Sequence, residues 1–531
     1  MTRRAAALAV ALALVAPATV LVAHPAAARV PSGGAVITIH VRDNTFSPAR
    51  LAVKPGTTVR WVNDGQNRHN VTPDAGHAFG SRNLAPGQSY AYTFPSAGNI
   101  GYFCTLHGAP GKGMHATVSV GDNVGASDVA PVGAGDAPAP RLGASGRTIR
   151  VPRDAKTIQG AVDRARPGDL VLVSPGVYHE SVTVATTGIV IRGVDRNRTI
   201  LDGDFREENG IKVVGADGVA VENLTARDYT ENGFYWDGVL GYRGAYLTAY
   251  RNGDYGIFAF DSQWGVFEHS YASGSPDSGF YIGQCNPCHA LITDVVSEFN
   301  QLGYSGTNAG GDLLIVRSVF RNNRTGVAPN SLDTEELAPQ GHAVIAGNLV
   351  ETNGSADAAK GDEQIWDIVY GIGIVVVGGV DDQILRNHLP GNAKAGIVIA
   401  PNPGLEAAEL YPATGNVVLG NNVHGTQVAD LATALVTPAD RNCFADNQYG
   451  TSAPKNIEQV MPCTGASVGD PNDGALPVDK FYDTSQNPPG RDYRDTPVPP
   501  AQRQMPSAST AKVRPAGAPR KVDVATITRP G

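Results

Sequence analysis

Between Ala35 and Val120 apolar and polar residues alternate in short runs separated by turn residues. VITIHV (36–41), TTVRWV (57–62), SYAYTF (89–94) and HATVSV (115–120) read as strands, punctuated by Pro55-Gly56, Pro86-Gly87 and Ala97-Gly98-Asn99. This pattern predicts a small antiparallel β-sandwich over residues 34–120. A different rhythm follows. The pairs Gly210-Ile211, Gly233-Phe234, Gly256-Ile257, Gly279-Phe280, Gly303-Tyr304 and Gly326-Val327 recur at intervals of 23, 23, 23, 24 and 23 residues. Two more copies, Gly371-Ile372 and Gly396-Ile397, come after gaps of 45 and 25, which places inserted loops near 331–341 and 354–369. A fixed period of this length signals stacked supersecondary units. The regular Leu/Asn consensus of leucine-rich repeats is absent. Each repeat carries a second β-run, such as 219–226, 313–320 and 342–349, with Gly and Asn at the corners. The expectation is a right-handed parallel β-helix with coils of about 23 residues over 148–464, and an all-β chain overall.

The segments outside these two regions have other compositions. Arg3 and Arg4 precede an apolar run from Ala5 to Ala23, and Ala26-Ala27-Ala28 offers a small-residue cleavage site, so residues 1–28 read as a signal peptide. The competing reading, an uncleaved anchor, is opposed by Pro17 and the alanine content. No later stretch is long and apolar enough to span a membrane. The mature chain is therefore expected outside the cytoplasm, in the periplasm, the cell envelope or the medium. Residues 121–147, rich in Gly, Ala, Pro and Asp, read as a flexible linker. Residues 465–531, rich in Pro and poor in apolar residues, read as a largely irregular tail. Charged residues are 17% of the chain and the net charge is −8, without a basic cluster, which leaves no support for a nucleic-acid partner.

Five cysteines are distributed as Cys104, the close pair Cys285 and Cys288, and the pair Cys443 and Cys463. In an oxidising compartment the two pairs suit disulfides, and Cys104 is left odd. Metal ligation explains it. The segment YFCTLHGAPGKGM (102–114) sets out Cys104-x2-His107-x6-Met114, and RHNVT (68–72) places His69 35 residues upstream on another strand. Two imidazoles, one thiolate and a weak thioether suit one type 1 copper site. His77 and His115 read as solvent-facing.

These residues resemble plastocyanin, pseudoazurin and related cupredoxins, including the His69-Asn70 pair and Tyr102 two residues before the cysteine. The resemblance implies that Asn70 ties the ligand loop together. It also implies that His107 is the more exposed ligand, where electrons enter from a redox partner that the sequence does not name. The six residues between His107 and Met114 exceed the spacing of typical plastocyanins.

Residues 157–184 resemble the capping helix and first coil of pectin-lyase-like proteins, a fold that hosts lyases, hydrolases, epimerases and non-enzymes. Stacking the repeats aligns Asp237, Asp261 and Gln284 with Asn308 and Asn330, either as the polar floor of a saccharide groove or as an internal hydrogen-bonded ladder. Tyr235, Phe258 and Tyr281 form an outward column, since alternation turns Phe234, Ile257 and Phe280 inward. Such a column suits stacking on sugar rings or cover by another segment. Polysaccharide lyases of this fold imply a calcium-binding acid cluster, but Asp237, Asp261 and Asp277 do not form one by spacing, so calcium lacks support and catalytic residues stay unassigned. Cys285-Asn-Pro-Cys288-His289 also matches a haem-attachment pattern, yet the repeat runs through it without a gap. Three functions follow: a copper electron carrier tethered to a β-helix that binds a polysaccharide or partner surface, a carbohydrate-active enzyme with an accessory copper domain, and an extracytoplasmic copper-handling factor.

Overall fold

The computed structural model describes residues 35–76, 79–121, 125–143, 146–361, 364–402, 411–436, 438–477 and 483–531. The expected signal peptide and His77 lie outside them. In the first domain, two sheets enclose a core around Trp61, Phe79, Phe94 and Tyr102. One sheet joins Thr45–Ser47, Val36–Arg42, Thr58–Asn63 and Ser89–Thr93 in that order. The other joins Thr72–Pro73, Gly98–Ala109, Lys112–Val120, Arg50–Val53 and Gly125–Ser127. The sandwich is mixed and not purely antiparallel: Val36–Arg42 pairs in parallel with Thr58–Asn63, and Arg50–Val53 with Lys112–Val120. Alternating burial along Lys112–Val120 shows the period-2 pattern that the sequence carries.

The second domain is a parallel β-helix of three long sheets, with 12, 10 and 11 strands, running from Thr148–Val151 to Ser452–Ala453. A short helix, Ile158–Val162, opens it. Its N-cap Thr157 accepts a hydrogen bond from the Gly160 N–H, and Ile158, Ala161 and Val162 close the end of the core. Along one sheet the glycine-led repeats stack in register: Ile211, Phe234, Ile257 and Phe280 in one column, Lys212, Tyr235, Phe258 and Tyr281 in the next. The first column and Trp236 belong to the core. Corners are held by asparagine ladders, since a buried side-chain amide can serve the backbone of its own coil and the next. One ladder runs Asn300, Asn323, Asn353, Asn392; another runs Asn348, Asn387, Asn421, Asn447. These are not the positions expected from stacking Asp237, Asp261 and Gln284.

The segments read as a flexible linker and an irregular tail lie against the solenoid. Residues 125–143 leave the sandwich through Gly125–Ser127 and then bond to the β-helix, where Gln263 Nε2 donates to Gly133 O and Gly135 O and Trp264 Nε1 donates to Ala137 O. Among its described residues the tail has no regular strands, but the buried Arg192 and Arg196 and the part-buried Arg386 hold its carbonyls. Arg192 donates to Ala511 O, Arg196 to Arg503 O and Arg386 to Ile527 O, and Ile527 is buried. Among the described residues no helix is long and apolar enough to cross a membrane.

Asp382, deep in the β-helix, accepts from the Ala343 N–H and from Gln340 Nε2. Burial outweighs these bonds and pushes its pKa up to about 7. Below about pH 4 both folded and unfolded chains hold this proton. As pH rises from there to about 7 the unfolded chain releases it while the folded chain retains it, so stability falls across that window. Asp382→Asn should flatten the fall, read as a smaller difference between urea midpoints at pH 5 and pH 7 than in the unaltered chain.

Candidate metal centre

Three elements bring the site together. His69 is pinned between strands by mutual backbone bonds with Leu84, His69 N–H to Leu84 O at 3.1 Å and Leu84 N–H to His69 O at 2.6 Å. Cys104 and His107 lie near the end of Gly98–Ala109, where the antiparallel register with Lys112–Val120 shifts between Phe103 and Gly108. That shift frees the short stretch Cys104–His107 to curl over the site, and Met114 returns from the partner strand. The Nδ1 atoms of His69 and His107 are 3.0 Å apart, and Cys104 Sγ lies 3.9 and 3.6 Å from them. All three donor atoms fall within 4.8 Å of one another, and the three residues and Met114 are buried.

The surroundings fix this geometry. The Asn70 N–H points at Cys104 Sγ at 3.4 Å, and Asn70 exchanges two bonds with Thr105, accepting from its N–H and donating to its hydroxyl. Asn70 thus ties the two ligand segments together. His69 Nε2 faces Asp43 at 3.8 Å, while Asp43 accepts from the Gln66 and Asn67 N–H groups. Burial disfavours charge on His69, but Asp43 and Cys104 outweigh it and raise its pKa to about 9. Burial, with His69 and Lys212 nearby, holds His107 well below the ordinary histidine range, in the neutral form that ligates.

A thiolate, two imidazoles and a thioether in a buried cage fit a single copper ion, held by Cys104, His69, His107 and Met114, which would supply a one-electron centre. The site and sandwich define a blue-copper cupredoxin. Residues 35–121 match the copper binding proteins of the plastocyanin/azurin family. Plastocyanin of Scenedesmus fuscus is 36% identical over 85 residues, which cover 14% of this chain and 85% of that protein. Amicyanin of Paracoccus versutus is 37% identical over 86 residues, 15% of this chain and 64% of its own. The chain belongs to the plastocyanin family through this domain. Over the β-helix, the A-module of Azotobacter vinelandii mannuronan C-5 epimerase AlgE4 aligns at 15% identity and a TM-score of 0.37, covering 57% of this chain and 95% of that one.

The resemblance implies that electrons enter at a solvent-exposed His107; it is the most exposed of the four ligands, yet only 2% exposed. The β-helix covers it. Tyr235, from the outward column, sits with its ring 6.3 Å from the His107 ring and donates its hydroxyl to His107 O at 3.3 Å. Lys212, one coil earlier, donates to Thr105 O at 2.6 Å and Gly108 O at 3.2 Å. The extra residues between His107 and Met114 extend the hairpin through Gly108–Gly113 pairing, and its tip reaches across, with Lys112 Nζ bonded to Ala185 O and Gly215 O. Gly113 has φ +60°, and a Cβ there would lie 2.5 Å from Asp237 Oδ2. Only glycine permits so close an approach.

The expected saccharide platform is therefore not an open groove. Tyr235, Phe258 and Tyr281 are buried, their rings 4.9 and 4.6 Å apart in sequence along the column. The copper domain and the inserted loop near 335 cover them, and Tyr281 donates to Glu335 Oε1 at 2.6 Å. Asp261 Oδ1 accepts from the Gly133 N–H, and Gln284 Oε1 from the Glu336 N–H. Cys285 is joined to Cys288, and Cys443 to Cys463. With both sulfurs of the first pair bonded to each other in the core, the haem-attachment reading has no free thiols. His115 pairs with Asp74 at 2.9 Å, part-buried rather than free in solvent.

Lys212 and Asp43 had no part in the sequence motif. For Lys212 the signal was present: it follows Gly210-Ile211 in the glycine alignment, in the column of Tyr235. Its buried ammonium lies beside the ligand loop, where positive charge disfavours the more positive Cu(II) state. Lys212→Met, of similar volume, should lower the reduction potential by on the order of 50 mV, as a nearby charge in a low-dielectric setting implies. Lys212→Arg should keep most of it, both read by potentiometric titration of the blue band.

Proposed function

We infer that this protein is an exported one-electron carrier whose β-helix serves as a permanent seat for the copper domain. The observation that carries the reading is the convergence of His69, Cys104 and His107 in a buried cage closed by Lys212 and Tyr235. Ligands held on one rigid sandwich and covered by a second domain change little between oxidation states, which favours fast electron exchange. A redox partner meets the assembly at another surface, and the electron crosses either the sandwich or the Tyr235 contact. Export is supported by the N-terminal pattern and by two disulfides, which persist in oxidising compartments. The enzyme and copper-handling readings gain no comparable support, because the polar and aromatic columns lie under the copper domain. Anaerobic titration of the copper-loaded chain tests the proposal. One electron per chain, taken up from a mild reductant and returned to a mild oxidant over repeated cycles, is the expected result. Copper lost on reduction, or no reversible couple, overturns it.

A further inference from the structure

A cavity of about 440 Å³ lies between the copper domain, the segment 128–132 and the β-helix, beside Met114. Its walls hold four buried polar atoms without hydrogen-bond partners: Asn44 Oδ1 and Thr45 Oγ1 on the copper domain, Asp237 Oδ2 and Gln284 Nε2 on the β-helix. Asn44, Asp237 and Gln284 are each less than 5% exposed. Folded proteins rarely leave such groups unsatisfied, and orphans from two domains facing one space point to something that fills it. The mouth is framed by exposed Arg50, Val129 and Val132, so the space communicates with solvent.

We propose that this interdomain cavity binds a small neutral polyhydroxylated molecule, of monosaccharide or polyol size. Gln284 Nε2 donates, Asn44 Oδ1 accepts, and the Thr45 hydroxyl does either, so the occupant both gives and takes hydrogen bonds, as hydroxyl groups do. Phe46 and Met114 add apolar wall for C–H faces, the mixed lining usual in small-molecule sites. An anion is disfavoured by Asp128, Asp237, Asp261 and Glu336 on the walls, while the Lys112 ammonium is already bonded to Ala185 O and Gly215 O. A metal ion is disfavoured because, among the described residues, the His/Cys/Asp/Glu donors that converge are those of the copper cage.

The site does not depend on the copper reading, since its walls are the chain's own. The test is calorimetric titration of the full-length copper-loaded protein with glucose, mannitol and inositol, with the blue band followed in parallel. Saturable heat from at least one of them is expected, weakened tenfold or more by Gln284→Leu on one wall and by Asn44→Ala on the other. An unchanged blue band in each variant establishes that the fold is intact. Absence of saturable heat with all three, as for a cavity holding water only, overturns the proposal. So does binding that both variants leave unaltered. Loss of the blue band in the unaltered protein counts against the copper reading alone.

Discussion

Cys104→Ser should abolish the intense blue absorption of the copper-loaded protein altogether, while the β-helix keeps its fold. The thiolate is the donor whose charge transfer to Cu(II) colours such a centre, and a serine hydroxyl at neutral pH offers neither its charge nor its covalency. His69 and His107 remain 3.0 Å apart at their Nδ1 atoms, so residual copper binding is expected, now as a pale, weakly held ion. The visible spectrum after Cu(II) addition and the copper content after dialysis report the two effects separately. Unaltered far-ultraviolet circular dichroism assigns them to the ligand and not to unfolding. A blue band that survives in the variant contradicts the ligand set.

The second large effect concerns the solenoid. Asn323 sits at the middle of a ladder, fully buried, donating to Ser297 O at 3.0 Å and Asn353 Oδ1 at 3.1 Å and accepting from both the N–H and the Nδ2 of Asn300 at 3.0 Å. Asn323→Ala strands donors and acceptors on three coils at once. Each unsatisfied buried group costs about 1–3 kcal/mol, so a loss of roughly 3–5 kcal/mol is expected. Denaturant titration of the β-helix signal gives the midpoint shift. A loss under 1 kcal/mol means that the corner relaxes or admits water.

Much of this molecule was written in local pattern. The four copper ligands occur in an order and spacing set by two strands and one hairpin, all within 46 residues of one another. The coil period shows because every turn of the solenoid repeats the same demand: an inward apolar residue after a glycine that leaves room for the next coil. The docking of the two domains was not legible, for a physical reason. It depends on contacts such as Lys212 to Thr105 and Tyr235 to His107, between segments more than 100 residues apart, and neither periodicity nor composition encodes such pairings. The aromatic column faces outward as strand alternation predicts, but outward is not exposed, because a second domain and a loop cover it.

The packing of the linker and the irregular tail on the solenoid is not legible in the sequence for a related reason. Low apolar content marks a segment that cannot build its own core, yet a segment can still be held by its backbone carbonyls. Arg192, Arg196 and Arg386 supply the donors, and in the sequence they look like ordinary surface charges. The unusual length between His107 and Met114 was visible. Its role lies in the distant contact of the hairpin tip, where Lys112 donates to Ala185 O and Gly215 O.

The β-helix closes the His107 end of the copper site, and Lys212 reports on this closure directly. Its partner carbonyls, Thr105 O and Gly108 O, belong to the copper domain, so its burial depends on docking, whereas Lys54 is exposed on the sandwich. Brief acylation of the native copper-loaded chain, mapped by mass spectrometry, compares the two. Rapid modification of Lys54 and protection of Lys212 are expected, with protection lost on unfolding. Equal modification of Lys212 and Lys54 in the native protein contradicts the closure.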